Sequence, residues 1–181
     1  MAGIEWGVDL SHLAPACHVY ELKLQDGIVH LPFRVRYSPH CWTRTKSATD
    51  SDDQFVWHER RSDGQVEARV ICPIRYSFSA QLPGIVASLQ NASVYRGRGE
   101  VFYRTKDTDR QRGLWAVCLK FDVNVGAKEL RLTCKSAHHR HNLPHDAKQP
   151  ADRFFRVLRT FYLSHAERHD WIPRPTKEKG P

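Results

Sequence analysis

No two of the five cysteines stand in a Cys-x-x-Cys pair; Cys17, Cys41, Cys72, Cys118 and Cys134 are scattered along the chain. That excludes a zinc ribbon or a thioredoxin-like site, and the odd number speaks against a disulfide framework. No apolar run approaches the ~18 residues that would span a membrane. The first ten residues, MAGIEWGVDL, lack the basic-then-apolar order of a secretory signal. Acidic residues are scarce: 20 Asp and Glu face 28 Lys and Arg, a formal net charge of +8 with a pI near 9.4. The expectation is a reduced, cytosolic protein, away from membranes, whose partner is anionic: RNA or another single-stranded nucleic acid, with a protein partner or inhibitor also open.

What is present suffices for one folded domain. The 181 residues are 40% hydrophobic and 10% aromatic, too apolar for a disordered chain. The predicted division is an N-terminal arm over 1–17, a single α+β domain over 18–171 and a disordered basic tail over 172–181. Its sheet is twisted and mainly antiparallel, with two or three helices on one face.

The patterning supports this. His18–Leu24 and Ile28–Tyr37 flank Asp26-Gly27 and predict a hairpin, with Pro32 suggesting an edge or a bulge. A second hairpin is predicted around Asp63-Gly64. From Pro73 the period becomes helical, with Ile74, Phe78 and Leu82 on one face, and Pro83 opens a second helical segment. Leu114–Val123 and the run beginning at Leu130 read as neighbouring antiparallel central strands. Phe154, Val157, Leu158, Phe161 and Tyr162 form the apolar face of a final helix.

The chemistry concentrates in Leu130–His145. Leu130, Leu132 and Cys134 alternate with Arg131, Thr133 and Lys135, after which Ser136 and Ala137 leave the alternation and His138, His139, Arg140, His141 and His145 follow. Histidine exchanges protons near neutral pH, and a strand end is a rigid mount. A second concentration, Ser38–Arg44, holds His40 beside Cys41; adjacent residues of an extended chain diverge, so Cys41 is read as packing rather than as a nucleophile. Between 92 and 113, Tyr95, Phe102 and Tyr103 interleave with Arg96, Arg98, Arg104, Lys106, Arg110 and Arg112, the composition of a single-stranded nucleic-acid surface or of a solvated strand and loop.

Three readings compete for the histidines: proton carriers for RNA cleavage by the neighbouring 2'-hydroxyl, with no cofactor; zinc ligands with Cys134, His138, His141 and His145; or a solvated basic loop. The string Arg36-Tyr37-Ser38-Pro39-His40-Cys41, with Arg75-Tyr76 and a strand running into Ser136-Ala137, resembles uncharacterised proteins of bacterial mobile elements and prophages. The paired final strands ending in Ser-Ala are similar to the barnase, colicin and RelE-like small ribonucleases, which often carry tyrosine where this chain has His138. The resemblance implies a toxin-like ribonuclease. The favoured assignment has His40 and His139 as proton carriers, oriented by Ser136, with Arg75, Arg96, Arg98, Tyr103, Arg104 and Arg140 holding nucleic acid. The alternative is a non-catalytic adaptor that binds nucleic acid or protein within a larger complex. A shared pocket for His40, His139 and Arg75 favours the enzyme, and opposite faces favour the adaptor.

Overall fold

A computed structural model describes residues 8–51, 56–60, 63–107 and 113–176. Arg110, Arg112, the first seven residues of the arm, part of the second hairpin turn and the tail beyond Thr176 lie outside these residues. The elements run β1 (Ala16–Leu24), β2 (Gly27–Tyr37), β3 (Thr43–Thr45), β4 (Val56–Arg60), β5 (Val66–Ile71), α1 (Pro73–Ser79), α2 (Leu82–Ala87), β6 (Ser93–Arg96), β7 (Val101–Asp107), β8 (Leu114–Asn124), β9 (Glu129–Arg140), β10 (Lys148–Arg153) and α3 (Phe154–Ala166). The architecture is α+β, as its sequence predicts: a seven-stranded sheet ordered β1-β2-β9-β8-β7-β6-β10 and a small sheet ordered β3-β5-β4.

Period-two burial builds the large sheet. In β2, Val29, Leu31, Phe33 and Val35 are buried while His30, Pro32, Arg34 and Arg36 face solvent. Gly27, at φ 133°, closes the hairpin to β1 where a side chain would be strained. The α3 stripe of Phe154, Val157, Leu158, Phe161 and Tyr162 is buried as expected, and Phe33, Phe121, Phe154 and Phe161 meet ring to ring beneath it. Each fully buried ring contributes about 1.5–3 kcal/mol by burial, so this aromatic layer is the centre of the core.

Several expectations change. β2 is an inner strand: Pro32 stands one residue before the parallel ladder with β9 begins at Phe33, so its missing N–H does not interrupt that ladder. Ile74 is 68% exposed, because the two-turn α1 buries only Phe78 and Ser79. Residues 148–153 add a strand, β10, against β6. The stretch 172–176 is docked: Ile172 is buried, and Thr176 and Ile28 exchange backbone hydrogen bonds at 2.9 and 3.1 Å. The histidine stretch is not a loop at its start either, since β9 continues through Arg140.

A β-bulge makes that continuation matter. The register with β8 passes from Leu119↔Cys134 to Cys118↔Ser136, leaving Lys135 as the extra residue. One inserted residue exchanges the faces of everything after it. Ala137 therefore turns into the core and Ser136, His138 and Arg140 turn outward.

Gly113, at φ 97°, sits where a Cβ would come 2.4 Å from Arg140 O. Gly113→Ala is expected to cost about 2–3 kcal/mol from strain and displacement of the end of β9. The Gly84 position has open space, and Gly84→Ala in α2 is expected to be neutral or to stabilise by up to ~1 kcal/mol. Urea midpoints of the two variants at unchanged slope provide the check.

Candidate active site

β2 and β9 pair in parallel, the one such pair among the described residues, so their carboxyl ends emerge side by side although about a hundred residues separate them. Ser38 stitches the ends together: its N–H donates to Cys134 O at 3.0 Å and its hydroxyl to Lys135 O at 2.7 Å. The same hydroxyl oxygen accepts from His40 N at 3.1 Å, capping the 3-10 turn Pro39–Cys41. Cys41 is wholly buried, its Sγ donating to Cys134 O at 3.3 Å, so it anchors the turn as packing while His40 is carried outward.

Arg75, in the first turn of α1, fastens this turn to β9. Its Nη1 donates to Thr43 O at 2.6 Å and to His40 O at 3.4 Å, and its Nη2 lies 2.8 Å from His138 Nδ1. A guanidinium can only donate. His138 Nδ1 must therefore accept, which leaves the imidazole proton on Nε2. Burial, followed by the charges of Arg75 and Arg140, pushes the His138 pKa down to about 4. At neutral pH His138 is an uncharged ring presenting an Nε2–H donor.

His40 is oriented from the small sheet. Its Nε2 lies 2.9 Å from Glu59 Oε2 on β4, close enough that two lone pairs would repel. Nε2 thus carries the proton and Nδ1 is the basic nitrogen, although the approach lacks the alignment of a full hydrogen bond and leaves Glu59 Oε2 without another aligned donor. Burial, then Arg69, lowers the His40 pKa against the opposing pull of Glu59 and Glu67. Arg69 is only 2% exposed and holds the network: it donates to Thr43 Oγ1 at 2.8 Å, to Thr43 O at 3.2 Å and to Glu67 at 2.7 Å, and lies 3.7 Å from Glu59.

Beside His138 opens a cavity of about 220 Å³ lined by Ser136, Arg140, His145, Cys118, Tyr103 and Asp146, among others. The Tyr103 hydroxyl lies 2.8 Å from both oxygens of Asp146, and burial together with this carboxylate raises its pKa. Burial likewise raises the Cys118 thiol, which makes it a poor nucleophile. Arg140 is the cation of the lining and Asp146 its carboxylate.

Some of the residues singled out in the sequence meet here and others do not. Arg75 joins the His40 turn to His138, and Ser136, Tyr103 and Arg140 line the cavity beside it. His139 points the other way, edge-on to Trp115 at 5.7 Å, with Trp115 stacked on Phe78 at 3.9 Å. Arg96 is engaged internally by Asp152 at 3.0 Å and by Thr160. Arg104 donates to Ser93 O and lines a separate cavity of about 410 Å³ with α2, on the helix face of the sheet. Arg98 is exposed in the β6–β7 turn. Tyr103 is 8% exposed and Phe102 wholly buried, so of the three rings between 92 and 107 Tyr95 alone is partly open to solvent. Of the zinc quartet, Cys134 faces the core and His138 the opposite side; among the described residues no group of three His, Cys, Asp or Glu is placed to hold a metal.

His138, Glu59 and Arg69 were missed as site residues. His138 was hidden by the bulge that reverses parity after Cys134, and Glu59 and Arg69 look in sequence like two ordinary charges of a hairpin. No helix among the described residues is long and apolar enough to cross a membrane. Neither the curated proteins nor the solved structures contain a match to this chain. The YjaZ family model matches residues 5–162, from the N-terminal arm into α3 and across every residue of the site, and the chain belongs to the YjaZ family.

Proposed function

We propose that this protein binds RNA and cleaves it as a metal-independent endoribonuclease, in a reducing, cytosolic setting. The observation that carries the proposal is the Arg75 strap, which joins the His40 turn to an uncharged His138 at the rim of a polar cavity lined by Arg140 and His145. In this reaction the 2'-oxygen attacks the adjacent phosphorus, the P–O5' bond breaks and a 2',3'-cyclic phosphate remains. His40, oriented by Glu59, takes the 2'-hydroxyl proton at Nδ1. The His138 Nε2–H and Arg140 stabilise the charge that grows on the non-bridging oxygens, and His145, across the cavity, donates the proton to the leaving 5'-oxygen. Ser136 lines the phosphate's path. The five free thiols, with Cys41 and Cys134 Sγ atoms 3.5 Å apart and unbonded, suit a reducing compartment. His139 has no part in this scheme because it lies on the opposite face, and His145 takes its place as the second proton carrier.

The test is incubation with labelled single-stranded RNA in EDTA. The parent is expected to leave cyclic-phosphate ends, His40→Ala to slow cleavage by about 10²–10⁴-fold, and His139→Ala to stay within about threefold of the parent. Salt-sensitive binding without cleavage would sink the enzyme and favour the adaptor, a reading supported by the separation of His139 from His40 and Arg75.

A further inference from the structure

The sheet face opposite the helices carries its own pattern. Phe33, Val35, Leu130, Leu132, Leu119 and Phe121 all turn inward. By strand alternation Arg34 and Arg36 on β2, Arg131 on β9 and Lys120 on β8 all turn outward, onto one face. The register makes them neighbours: Arg34 lies opposite Arg131, Arg36 opposite Thr133, and Thr133 opposite Lys120. Two carboxylates sit among them. Glu129 contacts Arg131 at 2.7 Å and Arg36 at 3.6 Å, and Asp122 lies 3.9 Å from Lys120. Four cations against two carboxylates leave the face positive, and the hydrogen bond from Arg131, aided by the charges of Arg131, Arg36 and Arg34, holds the Glu129 carboxyl below its usual pKa. β9 runs directly from this patch to the cavity. Arg131 is seven residues before His138, about 20 Å at ~3.3 Å per residue.

We infer that the outer face of β2, β9 and β8 is the track of a single RNA strand, held through its phosphates, that leads into the cavity beside His138. This deepens the reading above and rests on it for the identity of the strand. Charge complementarity selects a polyanion. The cavity, with room for one phosphodiester and its immediate neighbours, selects a strand that is locally unpaired. The patch offers guanidinium and ammonium groups, with the half-buried Trp171 as the ring beside Arg34, so the track reads chiefly backbone. It also moves the nucleic-acid surface away from residues 92–107.

The probe is 2'-O-methyl RNA, which lacks the nucleophile and cannot be cleaved, as a tetranucleotide and as a strand of about twelve nucleotides, within the usual range of single-strand site sizes. Arg34→Ala/Lys120→Ala leaves the cavity and the Glu129–Arg131 pair intact. It is expected to weaken the longer strand about 10–100-fold and to reduce the slope of log affinity against log salt by about 1.4, while the tetranucleotide is unaffected. Arg34→Lys/Lys120→Arg is expected to keep the parent's slope, and an unchanged urea midpoint shows that both variants are folded. Equal long-strand affinity in parent and alanine variant would overturn the track, as would a parent that binds no long strand or binds duplex RNA equally well. Cleavage of ordinary RNA is read separately. Long-strand binding with the expected slope change but no cleavage keeps the track and sinks the reaction; cleavage with unchanged slopes does the reverse.

Discussion

Replacing Arg69 with methionine is expected to destabilise the protein by about 3–5 kcal/mol, the largest stability change of any single substitution in the site. The side chain is 2% exposed, and its guanidinium faces Glu67 at 2.7 Å, Glu59 at 3.7 Å and both oxygens of Thr43. Methionine fills much of the volume but leaves two carboxylates near each other without their shared cation. The loss comes from those stranded charges more than from the missing bonds, so adding Glu59→Gln and Glu67→Gln is expected to recover at least half of it. Urea unfolding of the single and triple variants makes the comparison. A single variant within about 1 kcal/mol of the parent would show that water reaches and solvates the carboxylates, and the network would lose its role in holding His40.

Arg75→Leu is expected to reduce RNA cleavage by about 10²–10⁴-fold while costing about 2–3 kcal/mol of stability. One guanidinium holds Thr43 O, His40 O and His138 Nδ1, so its loss frees the His40 turn and the His138 ring together. The His138 titration separates this from simple unfolding. With Arg75 present the folded pKa is about 4, below the ordinary value of 6.5. The unfolded state then binds more protons between those values. Stability is complete above about pH 6.5 and falls as pH drops towards 4, by on the order of 1–2 kcal/mol once solvent screening is allowed for. In Arg75→Leu the proton resonances of His138 are expected to titrate closer to the ordinary value and the acid loss to shrink. Arg75→Lys keeps the charge but cannot span Thr43 and His138 at once, and it is expected to restore little cleavage. An unchanged His138 titration in Arg75→Leu would remove the strap from the mechanism.

Local pattern carried much of the architecture. The period-two run of β2, the Asp-Gly turn, the β8–β9 pairing and the buried stripe of α3 could be read because each depends on neighbours within one strand, hairpin or helix. The histidine stretch could also be found as a stretch, but which of its members faces the cavity could not. Lys135 is an ordinary residue in sequence, yet as a bulge it exchanges His138 and His139 between faces.

The amino-acid sequence by itself therefore determined an α+β chain with a basic surface and two histidine-bearing strand ends, since periodicity and charge are local properties. Only the tertiary structure decided that these ends meet. The parallel pairing of β2 with β9 spans about a hundred residues and has no turn to announce it. The same long-range packing buried Tyr103 against Asp146, tied Arg96 to Asp152, closed Glu59 and Arg69 around His40, and left Arg34 and Lys120 outward, because which face of a sheet the helices cover is set by the whole fold.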